Sequence, residues 1–69
     1  MTRESLGISR LRQWRGDRTR REAARALGMP ESTYWRIEEG QRVPSRVTAL
    51  AIARGTGGMV ALDSWDQAA

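Results

Sequence analysis

The chain has 69 residues, with 12 basic against 8 acidic side chains and a net charge of +4, and every basic residue is an arginine. A chain this short buries only about 60% of the surface it exposes when unfolded, which allows one small domain (1–69) and no roomy cleft; the charge calls for an anionic partner. With no cysteine and no histidine, disulfide staples, Cys/His zinc sites, and thiol or imidazole chemistry are excluded, so a small extracellular scaffold is disfavoured.

No run of about 18 apolar residues exists, and residues 1–16 lack the apolar core of a signal peptide, so the expected location is cytoplasmic, without membrane contact. Only 39% of residues are hydrophobic and the aromatic set is Trp14, Trp35, Trp65 and Tyr34. Such a thin core predicts help from a dimer or a bound partner.

Turn signals divide the chain into short helices. The first spans Leu6–Arg15, where Ile8, Leu11 and Trp14 recur every three residues on one face with Arg10, Arg12 and Arg15 between them, and Gly16 ends it. Thr19, three residues before Glu22, forms a capping box that opens a second helix running to Leu27 and stopping at Gly28. Pro30 starts a third, which continues through Ile37 to Gly40 with Tyr34 and Ile37 on one side. Residues 41–43 form a loop. Ser45 after Pro44 is the N-cap of a fourth helix whose 47–53 stretch is apolar except for Thr48, a pattern that predicts cover on nearly all sides. Gly55, Gly57 and Gly58 break it, residues 59–62 read as a short strand ended by Asp63, and Trp65 follows. No repeat or low-complexity segment is present.

The informative feature is the pair of short helices joined by ALGMPEST, in which a small residue, a glycine turn and a fresh helix start let two helices meet steeply, with Ala24 leaving room for the crossing. Here the sequence resembles the lambda-repressor-like (Cro/C1-type, XRE) helix-turn-helix family over about residues 11–65. The residues that carry the resemblance are Thr19, Glu22, Ala24, Leu27-Gly28, Ser32-Thr33, Arg36-Ile37-Glu38 and Gly40, followed by Pro44-Ser45. It implies an all-α, compact domain of four to five helices with a short C-terminal strand, and a motif at about 19–38.

The resemblance also implies that the helix at Glu31–Glu38 lies in the major groove of double-stranded DNA while the preceding helix crosses the backbone. Carried over position by position, Glu31, Ser32 and Arg36 become base-contact residues with Trp35 beside them. Arg36 leads, because a guanidinium fork bonds guanine O6 and N7 together; otherwise it pairs with a phosphate or with Glu39. Glu31 stands where the family often has glutamine, and either accepts from cytosine N4 or complements its own helix terminus. Trp35 packs on thymine methyls and sugar, or folds back onto the protein. The phosphate set is Arg20, at the family's glutamine position, with Thr33, Arg42, the Val43 amide, Ser45 and Arg46. Arg10, Arg12, Arg21, Arg25 and Arg54 read as solvated faces or internal ion pairs, Glu38 as part of the fold, and Trp14, Trp65 and Tyr34 as core or dimer-face residues.

One eight-residue helix reads few base pairs, so a homodimer on an inverted repeat is expected, its half-sites about 34 Å apart. Met59, Val60, Leu62 and Trp65 are the candidate dimerisation residues, either through paired strands at 59–65 or as a seal on the monomer. The leading expectation is a sequence-specific transcriptional regulator, a phage-type (prophage) or autoregulatory repressor of bacterial or phage origin. It would use no cofactor or small-molecule ligand and be controlled by its own concentration. The alternatives are an antitoxin of a toxin–antitoxin pair, for which residues 64–69 leave little toxin-binding tail, and a protein-interaction or DNA-packaging adaptor, which Glu31, Glu38, Glu39 and exposed Trp35 would favour. An enzyme is not expected, since carboxylates scattered on helix surfaces assemble no acid/base pair or metal cluster.

Overall fold

A computed structural model describes residues 6–65; the ends of the expected 1–69 domain, 1–5 and 66–69, lie outside the described residues, as does the 66–69 part of the tail weighed for toxin binding. The elements in order are α1 (Leu6–Arg15), α2 (Arg20–Ala26), α3 (Glu31–Glu38), α4 (Arg46–Gly55) and a single 3-10 turn at Leu62–Trp65.

At seven residues α2 is too short to hold as an isolated helix, and its two ends and one buried face account for its presence. Thr19 Oγ1 accepts from the Glu22 amide at 3.0 Å and the Glu22 carboxylate accepts from the Thr19 amide at 2.9 Å, the reciprocal pair that satisfies two free amides of a first turn. At the other end the Met29 amide donates to Ala24 O at 3.0 Å and the Gly28 amide to Arg25 O at 3.1 Å. This closure needs a left-handed residue, and Gly28 supplies it at φ +72°. Ala23, Ala24 and Leu27 are buried, and α2 packs against α3.

The core joins Leu11 of α1, these α2 residues, Tyr34 and Ile37 of α3, Ala49 and Ile52 of α4, Val60 and Trp65; Ile8, Trp14, Met29 and Leu62 close its edge. Tyr34 and Trp65 are therefore core residues. There is no strand among the described residues: Thr56 Oγ1 donates to Ile52 O at 2.8 Å and accepts from the Val60 amide at 3.1 Å. That clamp turns the chain back at the end of α4 and places Val60 in the core, so its amide is committed to a turn and not to a ladder. Residues 59–65 thus form turns and not the expected strand, and Val60 and Trp65 are buried in their own domain. Helix α4 ends at Gly55, where the glycines are expected to break it, but the expected cover on nearly all sides is not found. It is covered on one side only, with Val47 79% and Leu50 40% exposed.

The C-terminal turn is fastened to α1 through a contact that only glycine permits. Gly7 is buried, and a Cβ added there would lie 2.5 to 2.6 Å from three carbons of the Trp65 indole. Gly7→Ala should therefore expel or tilt the indole and cost about 1 to 3 kcal/mol, the range for overpacking a filled site. Urea denaturation followed by tryptophan fluorescence measures this; an unchanged midpoint would mean that the ring does not lie over α1.

Candidate nucleic-acid interface

Helix α3 divides cleanly by burial. Tyr34, Ile37 and Glu38 point inward, whereas Glu31, Ser32, Trp35 and Arg36 are exposed. The exposed positions fall at i, i+1, i+4 and i+5, one stripe of a helix, and together these four side chains line one shallow surface hollow. All four expected base-contact residues are thus brought to a single face. Arg36 forms no ion pair or side-chain hydrogen bond among the described residues; in particular it does not pair with Glu39, whose carboxylate is taken by Arg20. Glu31 has a long, exposed contact with Arg21 at 3.9 Å, too solvated to fix either side chain. Trp35 is 40% exposed and is flanked by the Arg20 guanidinium, 5.9 Å from the ring centroid.

What holds this stripe in place is a buried carboxylate. Glu38 is fully buried and receives Arg15 through two bonds, Nε at 2.8 Å and Nη2 at 3.0 Å. Arg20 Nε reaches the same carboxylate at 2.9 Å, and Arg12 Nη2 donates to the Glu38 carbonyl at 3.1 Å. Helices α1 and α2 are thereby tied to the last turn of α3. Burial alone would push the Glu38 carboxyl up, but the hydrogen bonds and charge of Arg15, reinforced by Arg20, hold it below the ordinary carboxylate range. The Tyr34 phenol is pushed above its ordinary value, first by burial and then by the nearby Glu38 charge. Its hydroxyl lies beside that carboxylate without completing a hydrogen bond.

The phosphate candidates fare unequally. Arg42, Val43, Ser45 and Arg46 are exposed in and just after the loop that follows α3, and Thr33 is half-buried. Arg42 and Arg46 have no ion-pair partner among the described residues. Ser45 also caps α4, its hydroxyl accepting from the Thr48 amide at 3.3 Å. Arg20 is different: with Nε on Glu38 and Nη2 on Glu39 at 2.6 Å, its guanidinium is engaged inside the protein, and these contacts raise its already high pKa, the Glu39 bond foremost. Arg18 is likewise engaged, donating to Trp14 O at 2.8 Å with its guanidinium 4.8 Å from the Trp14 ring. Of the candidate dimerisation residues, Met59 is 39% exposed and Leu62 is half-buried. Among the described residues no acidic cluster is spaced to hold a metal ion, and no helix is long and apolar enough to cross a membrane.

The role of Glu39 is invisible in the linear sequence. Its partner lies 19 positions away, beyond the reach of any helical spacing rule; the only ion-pair partner that the sequence offers Glu39 is Arg36.

Two short helices joined by a glycine turn, the second with a buried back and a free polar front, define a DNA-binding domain of the helix-turn-helix class. The sequence comparisons agree: a family model described as a helix-turn-helix domain matches residues 8–63. The chain belongs to the helix-turn-helix domain family. No curated protein and no solved structure matched the chain.

Proposed function

We propose that this chain is a sequence-specific transcriptional regulator of the lambda-repressor-like, Cro/XRE type, a repressor that acts as a homodimer on an inverted-repeat operator, without enzymatic activity or cofactor. The observation that carries the reading is the α3 stripe of Glu31, Ser32, Trp35 and Arg36, in which an arginine with no ion pair among the described residues stands on a helix locked from behind by Glu38. Arg36 is the reader, Ser32 and Glu31 modify its choice, and the Trp35 indole supplies apolar contact for thymine methyls. Thr33, Arg42, the Val43 amide, Ser45 and Arg46 position the domain on the backbone. The thin core and the exposed Val47, Leu50 and Met59 support self-association.

Selection of bound sequences from a random duplex pool tests reader and dimer together: a palindromic consensus with half-sites about one helical turn apart is expected, and an unstructured pool would refute the reading. The salt dependence supplies a second measurement. A dimer using about six phosphates should lose roughly a thousandfold in affinity between 50 and 200 mM salt. A flat response would favour the other reading that the surface supports, a protein-interaction adaptor docking through Trp35 and the acidic side chains next to it.

A further inference from the structure

Arg20 opens α2, the helix that crosses the DNA backbone in a helix-turn-helix complex, yet its guanidinium is occupied by two carboxylates of unlike character. Glu38 is fully buried and shared with Arg15, so it belongs to the scaffold. Glu39 lies just past the end of α3 with its side chain 35% exposed, against 27% for that of Arg20, and its single contact with the guanidinium is a surface pair. Such pairs are weak and exchangeable. A carboxylate and a phosphate compete for the same fork of N–H donors, and here the carboxylate is supplied within the chain.

We propose that Glu39 is an internal stand-in for a DNA phosphate: it holds the Arg20 guanidinium that would otherwise grip the backbone, and so limits the affinity that is independent of sequence. The inference rests on the DNA-binding reading above. The charges in the cluster explain its strength. Arg15 and Arg20 against Glu38 and Glu39 sum to zero, so a phosphate that displaces Glu39 exchanges one ion pair for another and leaves a bare carboxylate beside a polyanion. Removing the Glu39 charge leaves the cluster at +1 with Arg20 still anchored by Glu38 and stacked near Trp35, one free donor edge facing outward. Discrimination between genomic sites depends on the ratio of specific to non-specific binding and on the protein lost to random DNA; an acid in this place reduces that loss without touching a base.

The test measures binding of the full chain to a random duplex and to the selected operator between 50 and 200 mM salt. Glu39→Gln should steepen the dependence of log affinity on log salt by about one unit per protomer and tighten both duplexes about fivefold near 0.1 M salt. Glu39→Ser should do the same. Adding Arg20→Gln to Glu39→Gln should return both quantities to the wild-type values. An unchanged slope in the single variants would overturn the proposal, and so would a gain from Glu39→Gln that is as large in an Arg20→Gln background as in the parent, since Glu39 would then act by charge alone and not through Arg20. Wild-type protein that binds neither duplex at any salt would overturn the DNA-binding reading together with this proposal, an outcome visible without any variant.

Discussion

Glu38→Gln should destabilise the domain by about 2 to 4 kcal/mol, somewhat below the full range for breaking an enclosed ion pair, because the arginines on either side keep part of their hydration. The substitution preserves shape and removes charge. Two donors of Arg15 and one of Arg20 converge on the carboxylate oxygens, and an amide offers one oxygen and turns its own N–H groups toward at least one of those donors. A domain of this length holds about 3 to 10 kcal/mol in all, so the variant should be partly unfolded at ordinary temperature or melt far below the parent. Thermal denaturation by circular dichroism decides it. A melting temperature within a degree or two of the parent would show that packing of Tyr34 and Ile37, and not the charge cluster, fixes α3.

The same residue gives a pH signature with a definite sign. The Glu38 carboxyl lies below its ordinary value when folded and returns to about 4.3 when unfolded. The unfolded state then binds more protons in that interval, so the stabilisation is fully present above the unfolded value and is lost as the pH falls through the folded one. The parent should therefore lose stability steeply in acid, and the Glu38→Gln variant less steeply over the same range. Denaturation midpoints from pH 7 to pH 3 measure both slopes; parallel curves would mean that other carboxylates carry the acid sensitivity.

Features encoded within a few neighbouring residues are legible in the sequence. Thr19 and Glu22 stand three apart and cap α2 as the spacing predicts. Gly28 takes the left-handed conformation that its place after Leu27 requires, and the burial of Tyr34 and Ile37 turns Arg36 outward by helical geometry alone. Features that depend on distant partners are not legible in this way. The 59–62 stretch is a short apolar run that reads as a strand, yet the Thr56 hydroxyl takes the Val60 amide and the core takes its side chain. The 47–53 stretch looks like a helix covered on nearly all sides, but Val47 is 79% and Leu50 40% exposed. Arg20 occupies a phosphate-gripping position in the linear pattern, and only the folded chain brings Glu38 and Glu39 to it.

Arg36→Ala should lower affinity for the selected operator by about 1 to 3 kcal/mol and leave affinity for random duplex nearly unchanged. The expectation follows from what Arg36 lacks as much as from where it stands. Arg12, Arg15 and Arg20 are drawn inward by Glu38 and Arg18 by Trp14, whereas Arg36 keeps its whole fork of donors on the outer face of α3, beside Ser32 and Trp35. Removing it takes away no ion pair or side-chain hydrogen bond among the described residues, so the melting temperature should hold while specificity relaxes at one base pair per half-site. Arg36→Lys separates fork from charge: an ammonium replaces the positive charge but not the paired, planar geometry that matches O6 and N7 of guanine. If the position reads a base, lysine should recover little of the lost discrimination; if Arg36 only neutralises a phosphate, lysine should restore binding, and the alanine variant should lose as much on random DNA as on the operator.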